Sequence, residues 1–487
     1  MSSNKKKAIN GVVWTTVSTV VRSLVALLQI SILTHFVQKS DFGIVAIATL
    51  FTGFTSLFTD LGVSSGLLHK QEVSSNEYSS LFWLNIMTGS LLTVILIVVA
   101  PFISDIYNIS ELTRVLSLLS LTIFLSSLGI QHKIIQQKKC RFRIISIIEI
   151  ISSVTTLMIA SFLAYKGAGI YSLVVSTLWN SFVSNFSFLL LGLRQDKYIK
   201  FHFKFNETKD CLKIGSFSLG SHIFDYFSKE IDVILISTSL GQETLGLYSV
   251  CKKLVMMVYG AINPIINKVL TPLLSNIQNN RNHVKKVYYK VVESLALFNF
   301  PVYAIISIFA TFFIKLLYGD SYLDGTGVLS MLAINYGLLS VGSPVGALQV
   351  ALGRTDTGFY WTICRIIFST IAVFIGVKYN LVVVVACLII MNVFTEPLSW
   401  RITLKPLIGG SFIEYYSIIL KVASIVIFMS IPYFFLSKLD DGVVCFIVCV
   451  VSFLSIFIYI VSRLYRTSYI FEVFKDYVQR YILRSLD

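Results

Sequence analysis

The chain has 487 residues, 55% of them hydrophobic and only 13% charged, with a mean hydropathy of +0.78. A soluble chain of that length carries about a quarter charged residues, and no polar stretch here is long enough to form a soluble domain. The net charge of +15 would point a soluble protein toward nucleic acid; here the bases sit beside apolar runs, where they set topology and meet anionic headgroups, so the expected partner is the bilayer and not nucleic acid.

Lys5-Lys6-Lys7 followed by an apolar run resembles a secretory signal. The run continues to about Phe36, too long for a signal core, and no small-residue cleavage site follows, so it is expected to be a retained first span. Apolar segments of about 20 residues then recur along the chain. The expected spans are 10–36, 42–68, 80–104, 112–132, 144–165, 169–192, 213–239, 244–274, 290–317, 326–352, 357–378, 381–403, 412–436 and 441–463. The expected fold is therefore an all-α polytopic membrane protein of about fourteen helices. Lipid cannot satisfy backbone donors and acceptors, and the runs are too long and uniform for barrel strands.

The connections alternate in charge. One set carries Lys5–Lys7, Lys70, Lys133 to Arg143, Arg194 to Lys209, Arg281 to Lys286, and Arg401 with Lys405. The other is nearly free of base and carries Asp105, Glu111, Glu243, Asp320, Asp324, Asp440 and Asp441. Basic connections face the cytoplasm, which places both termini there, in the inner membrane. After the last span, Tyr469, Val473, Tyr477 and Tyr481 fall on one helical face with bases between them, as in an amphipathic helix on the inner leaflet. A frayed polar end is the alternative.

An internal repeat is visible. THFVQKSDFGIVA (34–46) can be laid on STSLGQETLGLYS (237–249), with Gly43 on Gly246, Arg22 on Asp225 and Asp60 on Asn263. QQKKCR (136–141) lies against QVALGR (349–354) at an offset about ten residues larger. The repeat implies parallel six-helix lobes at 1–210 and 211–405, two further helices over 406–464, and a tail over 465–487.

Three segments carry a family resemblance: SLFTDLGVSSGLLHKQEVSSNEYSSLFWLN (56–85), QKSDFGIVAIA (38–48) and QQKKCRFR (136–143). They resemble polysaccharide flippases of the Wzx type, in the multidrug/oligosaccharidyl-lipid/polysaccharide exporter superfamily, within the subgroup linked to colanic and teichuronic acid export. The resemblance is strongest over 1–200 and thin after about 405. It implies a MATE-like fold with two lobes around a cavity that work by alternating access. It also implies a cargo, an undecaprenyl-diphosphate-linked sugar repeat unit moved from the inner to the outer leaflet, and partners among polysaccharide polymerase and chain-length machinery. No cofactor is expected, with coupling to H+ or Na+ left open.

A charge at the bilayer centre costs about 3 kcal/mol on insertion scales, so intramembrane charges should face protein or water. Arg22 lies in mid-span of the first segment; it either lines the cavity, where a guanidinium could fork onto a diphosphate, or pairs structurally. Asp225, Lys229 and Asp232 stand at i, i+4 and i+7 and are expected on one cavity-facing side, with Glu230 pointing elsewhere. A self-neutralising ladder is the alternative. Of the adjacent Lys252 and Lys253, at most one is expected to point inward. Glu149, Glu293, Arg365 and Arg401 are open between roles. Glu396, beside Pro397, could bind a coupling cation or pair between helices. Asp60, inside the second span and followed by Gly62, Ser64, Ser65 and Gly66, is read as a cap or pair at an inner gate, with ion binding as the sharper alternative.

The seven cysteines are scattered and form no metal motif; Cys445 and Cys449 lie four apart in an apolar helix. There is no phosphate-binding loop. A membrane glycan polymerase would need a catalytic outer loop, and the outer connections are short and lack His or Arg, so no enzyme is expected. A drug/cation antiporter and a peptidoglycan-precursor flippase of the same superfamily remain alternatives.

Overall fold

The computed structural model describes residues 3–60, 63, 67, 74–195, 201–437 and 442–464. The expected tail helix at 465–487, Asp440 and Asp441, Lys70, and the small residues 62 and 64–66 lie outside the described residues. The described chain is helical throughout and holds no β-strand. In order the helices are α1 Ser3–Thr34, α2 Lys39–Thr59, α3 Ser75–Tyr107, α4 Ser110–Lys138, α5 Phe142–Tyr165, α6 Ile170–Gln195, α7 Phe205–Ser239 and α8 Gly241–Asn276. They continue as α9 Arg281–Ile308, α10 Ala310–Tyr318, α11 Thr326–Gly342, α12 Pro344–Ala351, α13 Asp356–Gly376, α14 Leu381–Ser399, a π turn Trp400–Leu404, α15 Lys405–Ile408, α16 Phe412–Leu436 and α17 Val443–Leu464.

Thirteen helices among the described residues are long and apolar enough to cross a membrane. The 35-residue α7 is not among them, and its middle carries Asp225, Lys229, Glu230 and Asp232. With it the number agrees with the reading from hydropathy. The protein is a multi-pass membrane protein.

Local chemistry sets several helix ends. Ser74, Asn280 and Ser411 each accept, through the side chain, the backbone N–H three residues on, from Glu77, His283 and Glu414. Two spans read as continuous are broken. The ninth divides at Phe309 into α9 and α10. The tenth divides at Ser343, where Pro344 starts α12 because its missing N–H is not needed in a first turn. The second span is shorter than expected: α2 stops at Thr59, and Asp60 occupies its C-cap.

The helices form two compact units. The first comprises Met1–Ala261, Leu317–Gly319 and Thr362–Cys387; the second comprises Ile262–Leu316, Asp320–Trp361 and the described residues from Leu388. In the first unit α1 packs on α5, α5 on α6, α6 on α4, α4 on α2 and α3, and both α2 and α3 on α7. The Tyr226 hydroxyl of α7 donates to the Leu50 carbonyl of α2 at 2.6 Å. That packing carries the first unit past residue 210.

The glycines paired by the repeat touch. A Cβ on Gly43 would lie 1.8 Å from the Gln242 carbonyl oxygen, and one on Gly246 would lie 1.8 Å from that of Lys39. Lys39 and Gln242 are themselves matched by the same offset, so α2 and α8 cross backbone to backbone at equivalent first turns. Only glycine permits this approach.

The second unit is built on α9, which packs against α11 and α16, with α17 on α16. Its core includes Tyr288, Phe300, Trp400, Tyr415, Met429 and Phe453. The Arg281 guanidinium donates to the carbonyls of Lys405, Pro406 and Leu407 at 3.1, 2.8 and 3.0 Å. This caps the short α15 and fixes the turn into α16.

Candidate functional site

The first unit holds a cavity of about 520 Å³. One face of α1 supplies Thr19, Arg22, Ser23, Ala26 and Gln29, residues brought together by helical periodicity. α5 supplies Ser153 and Thr156, α6 supplies Thr177 and Asn180, and α8 supplies Lys253, Met256, Met257 and Gly260. No carboxylate is among the described residues that line it.

Arg22 is half exposed to this space, and its Nη1 donates to Glu149 Oε2 at 2.7 Å. Glu149, on α5, is only 15% exposed at its side chain and also accepts from Lys133 Nζ at 2.7 Å and from Ser18 Oγ at 3.4 Å. Two cations thus share one carboxylate, leaving one positive charge over. The remaining N–H groups of Arg22 have no acceptor among the described residues. Lys253 is exposed to the cavity and has no ion-pair partner among the described residues. The local balance is two positive charges on a wall of hydroxyl, amide and thioether groups.

Lys252, one residue earlier, faces the other way and is buried. Its Nζ lies 3.0 Å from both carboxylate oxygens of Asp232 and 3.4 Å from Glu230 Oε2, and it donates to the Lys229 carbonyl at 3.2 Å. The Tyr248 hydroxyl also donates to Asp232. Glu230, Asp232, Tyr248 and Lys252 therefore form a closed cluster between α7 and α8, away from the cavity lining.

On α7 the three residues expected on one cavity-facing side have different partners. Asp225 and Lys229 do pair, at 2.6 Å and with both side chains more than half exposed, but neither lines the cavity. Asp232 is drawn away by Lys252 and Tyr248, and Glu230, expected to point elsewhere, joins it. Helical spacing alone put the three on one side, whereas the neighbouring helix decides which of them is buried.

Asp60 is half-buried, and its carbonyl accepts from Val63 N at 2.7 Å. It sits at the C-cap of α2 and not inside that helix. Glu396 accepts from the Tyr416 hydroxyl, joining α14 to α16 beside Pro397 and the π turn. Lys133, counted among the connecting bases, lies inside α4 and reaches Glu149.

The sequence reading missed the polar stripe of α1 and the walls from α5 and α6. The stripe had a signal: Thr19, Ser23 and Gln29 share a helical face with Arg22. The walls had none, because serine and threonine are common in membrane helices and their facing depends on packing. Among the described residues no group of three or more His, Cys, Asp or Glu is placed to hold a metal ion.

The family described as "Polysaccharide biosynthesis protein" matches residues 32–326. The chain belongs to this family. It is 27% identical over 387 residues to the teichuronic acid biosynthesis protein TuaB of Bacillus subtilis, covering 79% of this chain and 80% of TuaB. It is 24% identical over 419 residues to the succinoglycan biosynthesis transport protein ExoT of Rhizobium meliloti, covering 84% of each chain. Its fold is similar to that of the lipid II flippase MurJ in an inward closed conformation, with a TM-score of 0.77 at 16% identity over 93% of this chain and 99% of that one. Of these, ExoT is named as a transport protein of polysaccharide synthesis and MurJ as a flippase.

Proposed function

We propose that the chain is a flippase of the cytoplasmic membrane, with both termini in the cytoplasm. Its cargo is an undecaprenyl-diphosphate-linked oligosaccharide repeat unit, carried from the inner to the outer leaflet by alternating access of the 1–210 and 211–405 lobes. The observation that carries this reading is the cavity charge: Arg22 shares Glu149 with Lys133, and Lys253 has no carboxylate. A diphosphate supplies the missing negative charge. Arg22 can meet it as a planar fork and Lys253 as a point charge. A drug/cation antiporter would need a carboxylate facing the cavity, and the lining supplies none among the described residues. The reading needs no cofactor.

Lys253→Ala should abolish surface polysaccharide while the protein stays at normal levels in the membrane, and Lys253→Arg should retain most export. Full export by a well-expressed Arg22→Ala, Lys253→Ala double variant would end the proposal. Sidedness is tested by thiol labelling of intact cells. A cysteine at Asp320 should react with an impermeant reagent and one at Lys285 should not; reaction at Lys285 would invert the orientation.

A further inference from the structure

The hydroxyls that line the cavity on α5 and α6 have a hydrogen-bonding bias. A hydroxyl carries one proton and two lone pairs. Ser153 Oγ donates its proton to the Glu149 carbonyl at 2.9 Å, Thr156 Oγ1 to that of Ser152 at 2.7 Å, and Thr177 Oγ1 to that of Leu173 at 2.8 Å. Each donates back one turn along its own helix, so each turns only lone pairs to the cavity. Asn180 supplies the complementary group. The buried Ser152 Oγ lies 2.5 Å from Asn180 Oδ1 and 2.9 Å from the Asn180 carbonyl, and its one proton goes to one of the two. The amide oxygen therefore faces Ser152, and the NH2, which no acceptor takes among the described residues, is left for the cavity. A phosphate, which only accepts, finds no partner in three lone-pair hydroxyls and is drawn to Arg22 and Lys253 instead.

We propose that Thr156, Thr177, Ser153 and Asn180 form a subsite for a neutral polyhydroxyl group, the sugar next to the diphosphate. This rests on the flippase reading above and divides the lining by chemistry: Arg22 and Lys253 take phosphate, and the back-bonded hydroxyls take hydroxyl donors. A sugar hydroxyl both donates and accepts. It can give its proton to Thr156 or Thr177 and receive one from the Asn180 amide.

The test is a binding measurement on the full-length protein in lipid nanodiscs with two probes: undecaprenyl diphosphate, and the same lipid carrying one N-acetylhexosamine. The wild type should bind the sugar-bearing lipid about tenfold more tightly, the scale of two or three net hydrogen bonds. Thr156→Val with Thr177→Val keeps the side-chain shape and should erase that preference, leaving the sugar-free lipid within about twofold of wild type. Asn180→Ala should lose part of it, and it leaves Ser152 bonded to the residue 180 carbonyl, so the fold has a second variant to speak for it. Equal weakening of both lipids, no change in either, or a wild type without preference would overturn the subsite and leave the flippase reading standing. A wild type that binds neither lipid would overturn both.

Discussion

Lys252 and Lys253 are consecutive residues of one helix, yet they belong to opposite kinds of charge group. Lys252 is enclosed with Asp232, Glu230 and Tyr248, where two carboxylates surround one ammonium. Lys253 looks into a cavity where Arg22 and Lys133 share the single carboxylate of Glu149. The first group is enclosed within the protein, where one ammonium and a tyrosine hydroxyl hold two carboxylates, and the second is short of negative charge. A buried group satisfied by its own neighbours holds helices together, whereas an open group with surplus charge can accept a ligand. Adjacent residues are about 100° apart around a helix, which is enough to assign one lysine to structure and the other to function.

Breaking the closed group should have the largest effect on stability. Lys252→Ala leaves Asp232 and Glu230 without their shared cation, a loss of about 3–5 kcal/mol for a buried pair broken on one side. Purified protein should unfold at markedly lower temperature and its level in the membrane should fall. Replacing the group by uncharged residues, Lys252→Met with Asp232→Leu and Glu230→Gln, should recover most of that loss, because no buried charge remains. If Lys252→Ala keeps wild-type abundance and melting, the enclosed reading is wrong.

The open group should respond in two steps. In Arg22→Ala, Glu149 still has Lys133 at 2.7 Å, so abundance should be nearly unchanged while export is lost. In Arg22→Ala with Lys133→Ala the carboxylate, 15% exposed, is stranded, and stability should fall by about 3 kcal/mol. That excess over the two single variants is a coupling that a double-mutant cycle reads directly. Additive behaviour would mean that the two cations do not share Glu149, and the surplus charge would have to be recounted.

What could be read from the sequence divides along the same line. The spans were legible because lipid forces every crossing segment to be a long apolar helix, and the charged α7 stood out within that pattern. Gly43 and Gly246 were legible as a matched pair because both follow a short polar turn at a helix start. Their mutual contact was not, since contact is a tertiary fact. Arg22 stood out as a charge in mid-span, but its partner Glu149 lies 127 residues away and could have been any carboxylate. The break before Pro344 had a local signal, and the one at Phe309 had none. For α7, periodicity ranked Asp225, Lys229 and Asp232 together, and only the presence of Lys252 and Tyr248 on the next helix separated them.

The pair Asp225–Lys229 gives the smallest expected effect and the sharpest test of the contrast. The two lie at i, i+4 on α7, 2.6 Å apart, with side chains 51% and 59% exposed. They share a helix with Asp232, so charge and sequence neighbourhood are nearly the same for the exposed pair and the enclosed cluster. Enclosure is what differs. An exposed pair of this spacing contributes about 0.3–0.5 kcal/mol, since solvated ions lose little when separated. Asp225→Asn with Lys229→Gln should therefore change melting by no more than a degree or two, against the large loss expected for Lys252→Ala. Export should persist, because neither residue lines the cavity. A loss of export with melting unchanged would mean that this exposed pair meets cargo at another stage of the cycle, and the open group would have to be extended along α7 to include it.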